Sequence, residues 1–505
     1  MSVVPNPIPI PKFQLRVSAS TNPTIRFASH DTSTTSPLAL WTASEIAEAV
    51  GGRIVKWGPP GTVSADTRTL RPGEWFFAIS GKNFDAHDFV NPQLREKGCV
   101  GVIGNRVCED WDKGFVQVSG DSLVSLTRMG SYARSRFDGE VIGITGSVGK
   151  TTTKAMIALI LESSNGKVYQ SPGNWNNEIG VALSLIGIPR SADIVVLEMG
   201  MSGKGEILEL ARVARPSIRV ILNAGASHLE KFRNLEEVAV AKGEIFEEAK
   251  LGDACVLNAD DPLVAGLQIP DGVRKALFGR KNGSDIRLVA AEGTDGGLGV
   301  QVVLENVDEM VEFVIPSPGP HLALNACAAA AVGTLLGVSL GQVGSSLSKF
   351  TPVKQRSELE VAENGIKMIN DVYNANPIST KAAIDLLKGI ECNGRRVAIL
   401  GDMLELGGSD NEFHELMLRY CLDCCVDIVG LVGSRYIRAA RNAPLRKESN
   451  IIYACDADSM AVEIVKMLNP NDVVLVKGSH GMKMEKVVEA IRTKATQFYP
   501  RTLIN

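Results

Sequence analysis

The residues Val141-Ile142-Gly143-Ile144-Thr145-Gly146-Ser147-Val148-Gly149-Lys150-Thr151 decide how this chain folds. An apolar, β-branched run stops at a glycine-rich loop, and the helix-forming residues 152–161 follow at once. Strand, glycine loop and helix in that order predict a phosphate-binding loop. Its glycines let backbone N–H groups approach phosphate oxygens, and the helix N-terminus adds positive potential. Lys150 is placed to neutralise terminal phosphates and Thr151 to offer its hydroxyl to Mg²⁺.

Outward from this loop, strand-like runs recur at 194–198, 218–223 and 254–258, each closing on a polar residue. That repetition predicts a mainly parallel sheet with crossover helices. After Phe350 the theme restarts at 395–400, 427–432, 450–454 and 472–476, which predicts a further parallel sheet. Before the loop, Thr42 is placed to cap a helix through Ile46 and Val50 that Gly51-Gly52 stops. Short β-rich runs at 74–79, 98–103 and 115–118 then alternate with helical stretches. The expected organisation is α/β in three domains, 39–137, 138–350 and 351–505, the central one carrying the phosphate loop.

Residues 1–38 hold no acid before Asp31 and are rich in Ser and Thr. They read as a targeting extension, since an import signal is Ser- and Arg-rich and acid-poor, whereas a secretory signal needs a continuous apolar core. Of the 505 residues, 45% are hydrophobic and 22% charged, the balance of a soluble globular chain. With 53 basic against 57 acidic side chains, no electrostatic footprint for nucleic acid or an anionic membrane stands out. The apolar run 326–338 is shorter than the roughly 20 residues a bilayer span needs, and reads as a buried helix. Among nine cysteines only Cys421, Cys424 and Cys425 cluster, and no second pair stands at zinc-ligand spacing, so they read as small apolar residues on a helix.

Parallel sheets bind ligands beyond the carboxyl ends of their strands. Glu198 ends one such strand and His228 follows another, so both belong to the presumed ligand edge. A carboxylate and an imidazole near Thr151 suit a divalent cation held against a phosphate, or a second one against an acyl oxygen. Lys242, in Ala-Lys-Gly-Glu-Ile-Phe, reads by itself as a solvated helix lysine.

The glycines of the loop fall at Gly143, Gly146 and Gly149, and the position where the common pattern has its first glycine is Ile144. This G-x-x-G-x-x-G-K-T form resembles the variant of the Mur ligase superfamily, which joins carboxylates to amines using ATP. Further segments carry the resemblance in family order: Asp66-Thr67-Arg68, Phe84-Asp85-Ala86-His87-Asp88-Phe89, Gly173-Asn174-Trp175-Asn176-Asn177-Glu178, Glu198-Met199-Gly200 and Ala226-Ser227-His228-Leu229-Glu230. They continue with Lys242-Gly243-Glu244-Ile245, His321-Leu322-Ala323-Leu324-Asn325, Asp371-Val372-Tyr373-Asn374-Ala375-Asn376-Pro377 and Leu400-Gly401-Asp402-Met403-Leu404-Glu405-Leu406-Gly407. Tyr373 to Pro377 is similar to the dipeptide-adding member rather than to the ligases that add single amino acids.

The resemblance implies an N-terminal UDP-sugar domain, a central ATPase domain and a C-terminal Rossmann-like domain that closes over ATP and the incoming amine. It implies ATP and Mg²⁺ as cofactors, and UDP-MurNAc-tripeptide and D-alanyl-D-alanine as substrates, joined through an acyl phosphate. Gly146, Ser147, Gly149, Lys150, Thr151 and Thr152 would form the phosphate site, with Lys150 stabilising phosphoryl transfer. Thr151 and Glu198 would hold one Mg²⁺, and His228 with a carbamylated Lys242 a second. Asn325 would contact adenine, while Arg356 and Asp371 would reach phosphate and ribose. Asn374 and Asn376 would lie near the dipeptide, Asn176 and Asn177 near the muramoyl peptide, and Thr67 and Arg68 near the nucleotide sugar. A monomer is expected, with no nucleic-acid partner and no membrane insertion.

Three departures from the family pattern stand out. Glu198-Met199-Gly200 continues as Met201-Ser202-Gly203 instead of Ala-Asn-His, Asn370 replaces a frequent aspartate, and His480-Gly481 follows Lys477-Gly478-Ser479. Two other readings stay open, another amino-acid ligase of the superfamily and a repurposed ATP-binding structural partner in an organelle. For a wall-precursor enzyme with such an extension, the expected location is the plastid stroma, with the cytoplasm as the alternative.

Overall fold

Thr42 caps the helix Ala43–Val50 as its sequence requires: its hydroxyl accepts from the Glu45 N–H and the Glu45 carboxylate answers at the Thr42 N–H. Gly51 ends the helix in the left-handed region, at φ 64°. The computed structural model describes residues 39–81, 84–108, 110–362, 364–442 and 450–497, so the expected targeting extension lies outside the described residues.

Three large sheets follow one another along the chain, with five, nine and six strands among the described residues, besides a two-stranded ribbon of Ser80–Gly81 and Phe84–Asp85. The first runs, edge to edge, Arg53–Lys56, Gly114–Gln117, Gly101–Gly104, Trp75–Phe77, Val63–Ser64. The second has Ala254–Asn258, Ile218–Ile221, Glu140–Thr145, Ile194–Glu198 and, at its edge, Val168–Gln170, all parallel. The third runs Glu358–Val361, Lys367–Asp371, Val473–Lys477, Arg396–Gly401, Ile428–Val432, Asn450–Ala454, parallel except at its first strand. This is the mainly parallel α/β architecture that the repeated runs imply. Strands such as Ile218–Ile221 and Val473–Lys477 are buried at every position, because helices cover both faces of such sheets.

Register places the site. Glu198 lies opposite Ile144, and Ile221 opposite Thr145, so the three strand ends come flush where the glycine loop begins. In the third sheet Lys477 lies opposite both Asp371 and Leu400, gathering three strand ends at one edge in the same way.

Two features depart from the sequence reading. The central sheet continues through Arg274–Gly279 into an antiparallel meander, Ile286–Thr294, Gly299–Glu305 and Met310–Ile315, which a search for parallel runs overlooks. Its signal is the period-two burial of Val300, Val302 and Leu304. The apolar run 326–338 is not wholly helical. The helix is His321–Leu335, and the chain turns at Gly337, φ 83°. Of the clustered cysteines, Cys421 is buried on the helix Asp410–Asp423 and Cys424 is buried just beyond it, but Cys425 is exposed with φ 56°. No helix among the described residues is long and apolar enough to cross a membrane.

The helix His321–Leu335 is buried on all sides from Ala326 to Gly333, and its small side chains let it pack closely on Lys150–Ser163, the helix that follows the glycine loop. A Cβ at Gly333 would stand 3.0 Å from Ile160 Cγ2. Gly333→Leu should therefore destabilise the chain by about 1–3 kcal/mol through overpacking, read as a lower urea midpoint at unchanged m-value.

Candidate active site

Gly149 is the N-cap of the helix Lys150–Ser163, with φ 87° and no side chain closing the helix end, so the first amides stay available to an anion. The loop is held from behind. Asn223, just past the strand Ile218–Ile221, accepts from the Val148 N–H at 2.9 Å and donates to the Val148 carbonyl at 3.1 Å. The Ser147 hydroxyl donates to the Gly225 carbonyl and accepts from the Gly225 N–H, so it fixes the loop. Lys150 Nζ donates to the Gly146 carbonyl at 2.7 Å. Burial lowers its pKa, against the pull of Glu198, and Arg356 adds to the lowering.

Below the loop Thr151 is 6% exposed and Glu198 only 1%. The Thr151 hydroxyl donates to Glu198 Oε2 at 2.8 Å, and Asn176 Nδ2 donates to Oε1 at 2.7 Å. Burial pushes the Glu198 pKa up, but Lys150, Lys154 and these two hydrogen bonds outweigh it and hold the group ionised below the usual carboxylate range.

Lys242, on the helix Leu235–Gly243, is 3% exposed rather than solvated, which corrects its reading in isolation. Burial, and then the charge of Lys150, drives its pKa far below that of an ordinary lysine. His228 takes a left-handed turn at φ 56°, and its Nδ1 stands 2.6 Å from Glu405 Oε2, a carboxylate delivered by the third sheet. Burial lowers the His228 pKa; Glu405 opposes this, and Lys242 and Lys150 reinforce it.

From the third sheet's side, Arg356 Nη2 donates to Thr151 Oγ1 at 3.0 Å and its guanidinium lies 3.6 Å above the Tyr373 ring. Asp371 spends both oxygens inside the protein, one on the Ser357 N–H and one on Lys477. Asn376 caps the helix Pro377–Gly389 through the Ser379 N–H, and Asn177 caps Glu178–Ile186 through the Gly180 N–H. Asn374 is exposed and accepts from the Ala375 N–H.

One cleft of about 560 Å³ gathers these groups. Gly146, Ser147, Gly149, Lys150, Thr152, Asn176, Asn177, Glu198, His228, Lys242 and Asn325 line it from the central sheet's side. Arg356, Asp371, Asn374 and Asn376 line it from the third sheet's side, and Thr151 lies just beneath. Thr67 and Arg68 are not brought to it: they sit on a turn after Val63–Ser64, where the exposed Arg68 pairs with Asp66. Sequence reading gave no role to Asn223, Lys154, Tyr373, Glu405 and Lys477, although Tyr373, Glu405 and Lys477 stand in segments quoted above. Lys154 is buried four residues after Lys150 and donates to the Ser171 and Gly173 carbonyls, which fixes the segment leading to Asn176. Its only sequence signal is that helical spacing, which an exposed lysine would share.

A phosphate loop roofed by a further parallel sheet, with buried lysines and a buried carboxylate between them, defines a nucleotide-binding α/β protein equipped for phosphoryl transfer. Comparison with known proteins makes this specific. A Mur ligase middle domain matches residues 144–333, and a Mur ligase glutamate ligase domain matches residues 355–480. The UDP-N-acetylmuramoyl-tripeptide–D-alanyl-D-alanine ligase of Bacillus subtilis is 33% identical over 454 residues, covering 89% of this chain and 97% of the relative. That of Escherichia coli is 31% identical, covering 86% and 94%. The crystal structure of MurF from Acinetobacter baumannii superposes with a TM-score of 0.79 at 28% identity, covering 90% of this chain and all of that one. The chain belongs to the Mur ligases, and within them to the UDP-N-acetylmuramoyl-tripeptide–D-alanyl-D-alanine ligase (MurF) family.

Gly149 offers a direct test of the loop geometry. A Cβ there would sit 2.6 Å from Asn325 Oδ1, in a left-handed conformation that alanine adopts at a cost. Gly149→Ala should weaken ATP binding by about tenfold or more, measured by calorimetric titration, a loss equivalent to roughly 1–3 kcal/mol of backbone strain.

Proposed function

We propose that this chain uses ATP to join D-alanyl-D-alanine to the terminal peptide carboxylate of UDP-MurNAc-tripeptide, giving UDP-MurNAc-pentapeptide, ADP and phosphate, a step of peptidoglycan precursor synthesis. The observation that carries the reading is the single cleft in which the glycine loop, Glu198 and Lys242 face Arg356, Asn374 and Asn376.

A carboxylate is a poor electrophile, so it must first be activated. In the proposed first step a carboxylate oxygen attacks the γ-phosphorus and the bond to the bridging oxygen of ADP breaks, leaving an acyl phosphate. Two anions must meet for this, and the chain supplies the compensation: Lys150, the amides after Gly149, and Arg356 delivered from the third sheet. The amine of the dipeptide, having lost its proton, then attacks the acyl carbon and phosphate leaves. Acyl phosphates hydrolyse readily, so the roof formed by residues 356–376 serves to exclude water.

The residues present fit two Mg²⁺ ions. Thr151 and Glu198 offer a hydroxyl and an ionised carboxylate, hard oxygen donors 2.8 Å apart. Lys242, buried with a depressed pKa, favours the neutral amine that carbon dioxide carboxylates, and the carbamate would add oxygen donors beside His228. Glu405 against Nδ1 orients the His228 ring so that Nε2 remains for a metal, the usual arrangement of a ligating histidine. Bound Mg²⁺ would supply further positive charge against the phosphate and acyl oxygens.

We further propose that residues 39–137, 138–350 and 351–505 act as UDP-sugar, ATP and closing domains, with Thr67 and Arg68 on the nucleotide-sugar side. The acid-poor residues 1–38 support import into a plastid. A reporter fused to residues 1–37 should enter plastids, and a fusion that stays cytosolic overturns this.

The ligase reading is tested with purified residues 38–505, ATP, Mg²⁺ and UDP-MurNAc-tripeptide, following phosphate release and product mass. A product heavier by one dipeptide, formed with D-alanyl-D-alanine and not with single amino acids, is expected; ATP binding without ligation of any acceptor overturns it. Lys150→Ala should lose about 10³-fold or more in kcat, comparable to the removal of other phosphoryl-site cations.

A further inference from the structure

Lys477 ends a strand of the third sheet, is 1% exposed, and makes no part of the chemistry above. Its ammonium donates to Asp371 Oδ2 at 2.6 Å and to the Asn374 carbonyl at 2.9 Å. Asp371 accepts from the Ser357 N–H at 3.0 Å with its other oxygen. Ser357 has φ 49° and Gln355 φ 61°, so Arg356 sits between two non-glycine residues in the left-handed region. Such a bend persists only where the surroundings fix it. Asp371 fixes one flank, and the Gln355 N–H bonds Glu358 on the other. On the same side of the cleft, the carbonyl held by Lys477 belongs to the residue that follows Tyr373, the ring under Arg356. Two residues on, the Ser479 hydroxyl donates to the Ala375 carbonyl and accepts from the Leu404 N–H. A buried ammonium suits this junction because it donates to a carboxylate and a carbonyl at once, and its charge offsets that of Asp371.

We propose that Lys477 is a positioning residue that ties the nucleotide side of the cleft, through Asp371 and Arg356, to the acceptor side, through Asn374. The tie rests on the reading of Asn374 and Asn376 as the acceptor turn. One buried charge then sets both the arginine that faces the phosphates and the turn that faces the amine.

The test compares Lys477→Met, Asp371→Asn and the double variant for Tm, ATP affinity without acceptor, and KM for each substrate. Lys477→Met should lower Tm, since it leaves the Asp371 carboxylate buried without its counter-charge. The double variant should recover most of that loss, because an amide at position 371 is neutral and still accepts from the Ser357 N–H. Loss of the charged hydrogen bond to Asn374 should raise KM for D-alanyl-D-alanine by about tenfold or more in both variants lacking Lys477. Asp371→Asn alone, which keeps that bond, should leave this KM near its starting value. KM for UDP-MurNAc-tripeptide, whose proposed contacts lie on the other two sheets, should stay within about twofold, and ATP affinity should fall several-fold in Lys477→Met.

A double variant that recovers both Tm and dipeptide KM makes Lys477 a merely structural residue and overturns the tie, as does an equal rise in all three KM values. If the parent chain ligates no dipeptide, the acceptor reading fails by itself and ATP affinity decides. A several-fold loss in Lys477→Met supports the link to Arg356, and an unchanged affinity overturns it.

Discussion

A carboxylate almost sealed from water must be compensated from every side, and Glu198 imposes that demand on the centre of this molecule. Thr151, Asn176 and Lys154 meet it from two segments: the helix after the glycine loop supplies Thr151 and Lys154, and the 173–177 segment supplies Asn176. Lys154 also anchors that last segment through the Ser171 and Gly173 carbonyls. The need to satisfy one buried charge therefore fixes where the phosphate loop stands relative to the segment proposed to hold the peptide. Arg356 enters the same network from the third sheet by bonding Thr151, so the roof is keyed to the buried carboxylate as well.

Much of this was legible in the chain. The strands Ile194–Glu198 and Ala254–Asn258 coincide with the apolar runs read from sequence, because strands buried on both faces are written as continuous apolar stretches with polar ends. The meander at 286–315 was not read, since its alternation is diluted by residues such as Val303 and Ala290 that are apolar without being buried. For the site, the phosphate loop and the strand-end residues were legible from their own chemistry, and residues whose role depends on burial were not, even where a motif surrounds them. Lys242 looks like any helix lysine until the fold removes water from it, and Lys154, Glu405 and Lys477 carry their roles through partners 17 to 177 positions away. Thr67 and Arg68, which a motif marks for the nucleotide-sugar side, lie apart from this cleft, on the turn after Val63–Ser64.

Four of the ten described non-glycine residues with positive φ lie where the halves of the cleft meet. His228, Gln355, Ser357 and Glu405 all hold positive φ without being glycine. Each lies at or next to a side chain that crosses between the central and third sheets. The strain is offset by the bonds that pin these turns, and it aims Arg356, His228 and Glu405 at positions that relaxed loops would not reach.

The pairing of His228 with Glu405 has a thermodynamic consequence. The imidazole belongs to the central sheet and its orienting carboxylate to the third, so any ligand that prefers the oriented ring also prefers the two sheets together. Linkage is reciprocal: the factor by which approach of the third sheet tightens such a ligand equals the factor by which the ligand favours that approach. With His228 as the proposed metal ligand and residues 351–505 as the proposed closing domain, occupancy at His228 and closure of the roof would be one cooperative equilibrium, written into a single 2.6 Å contact.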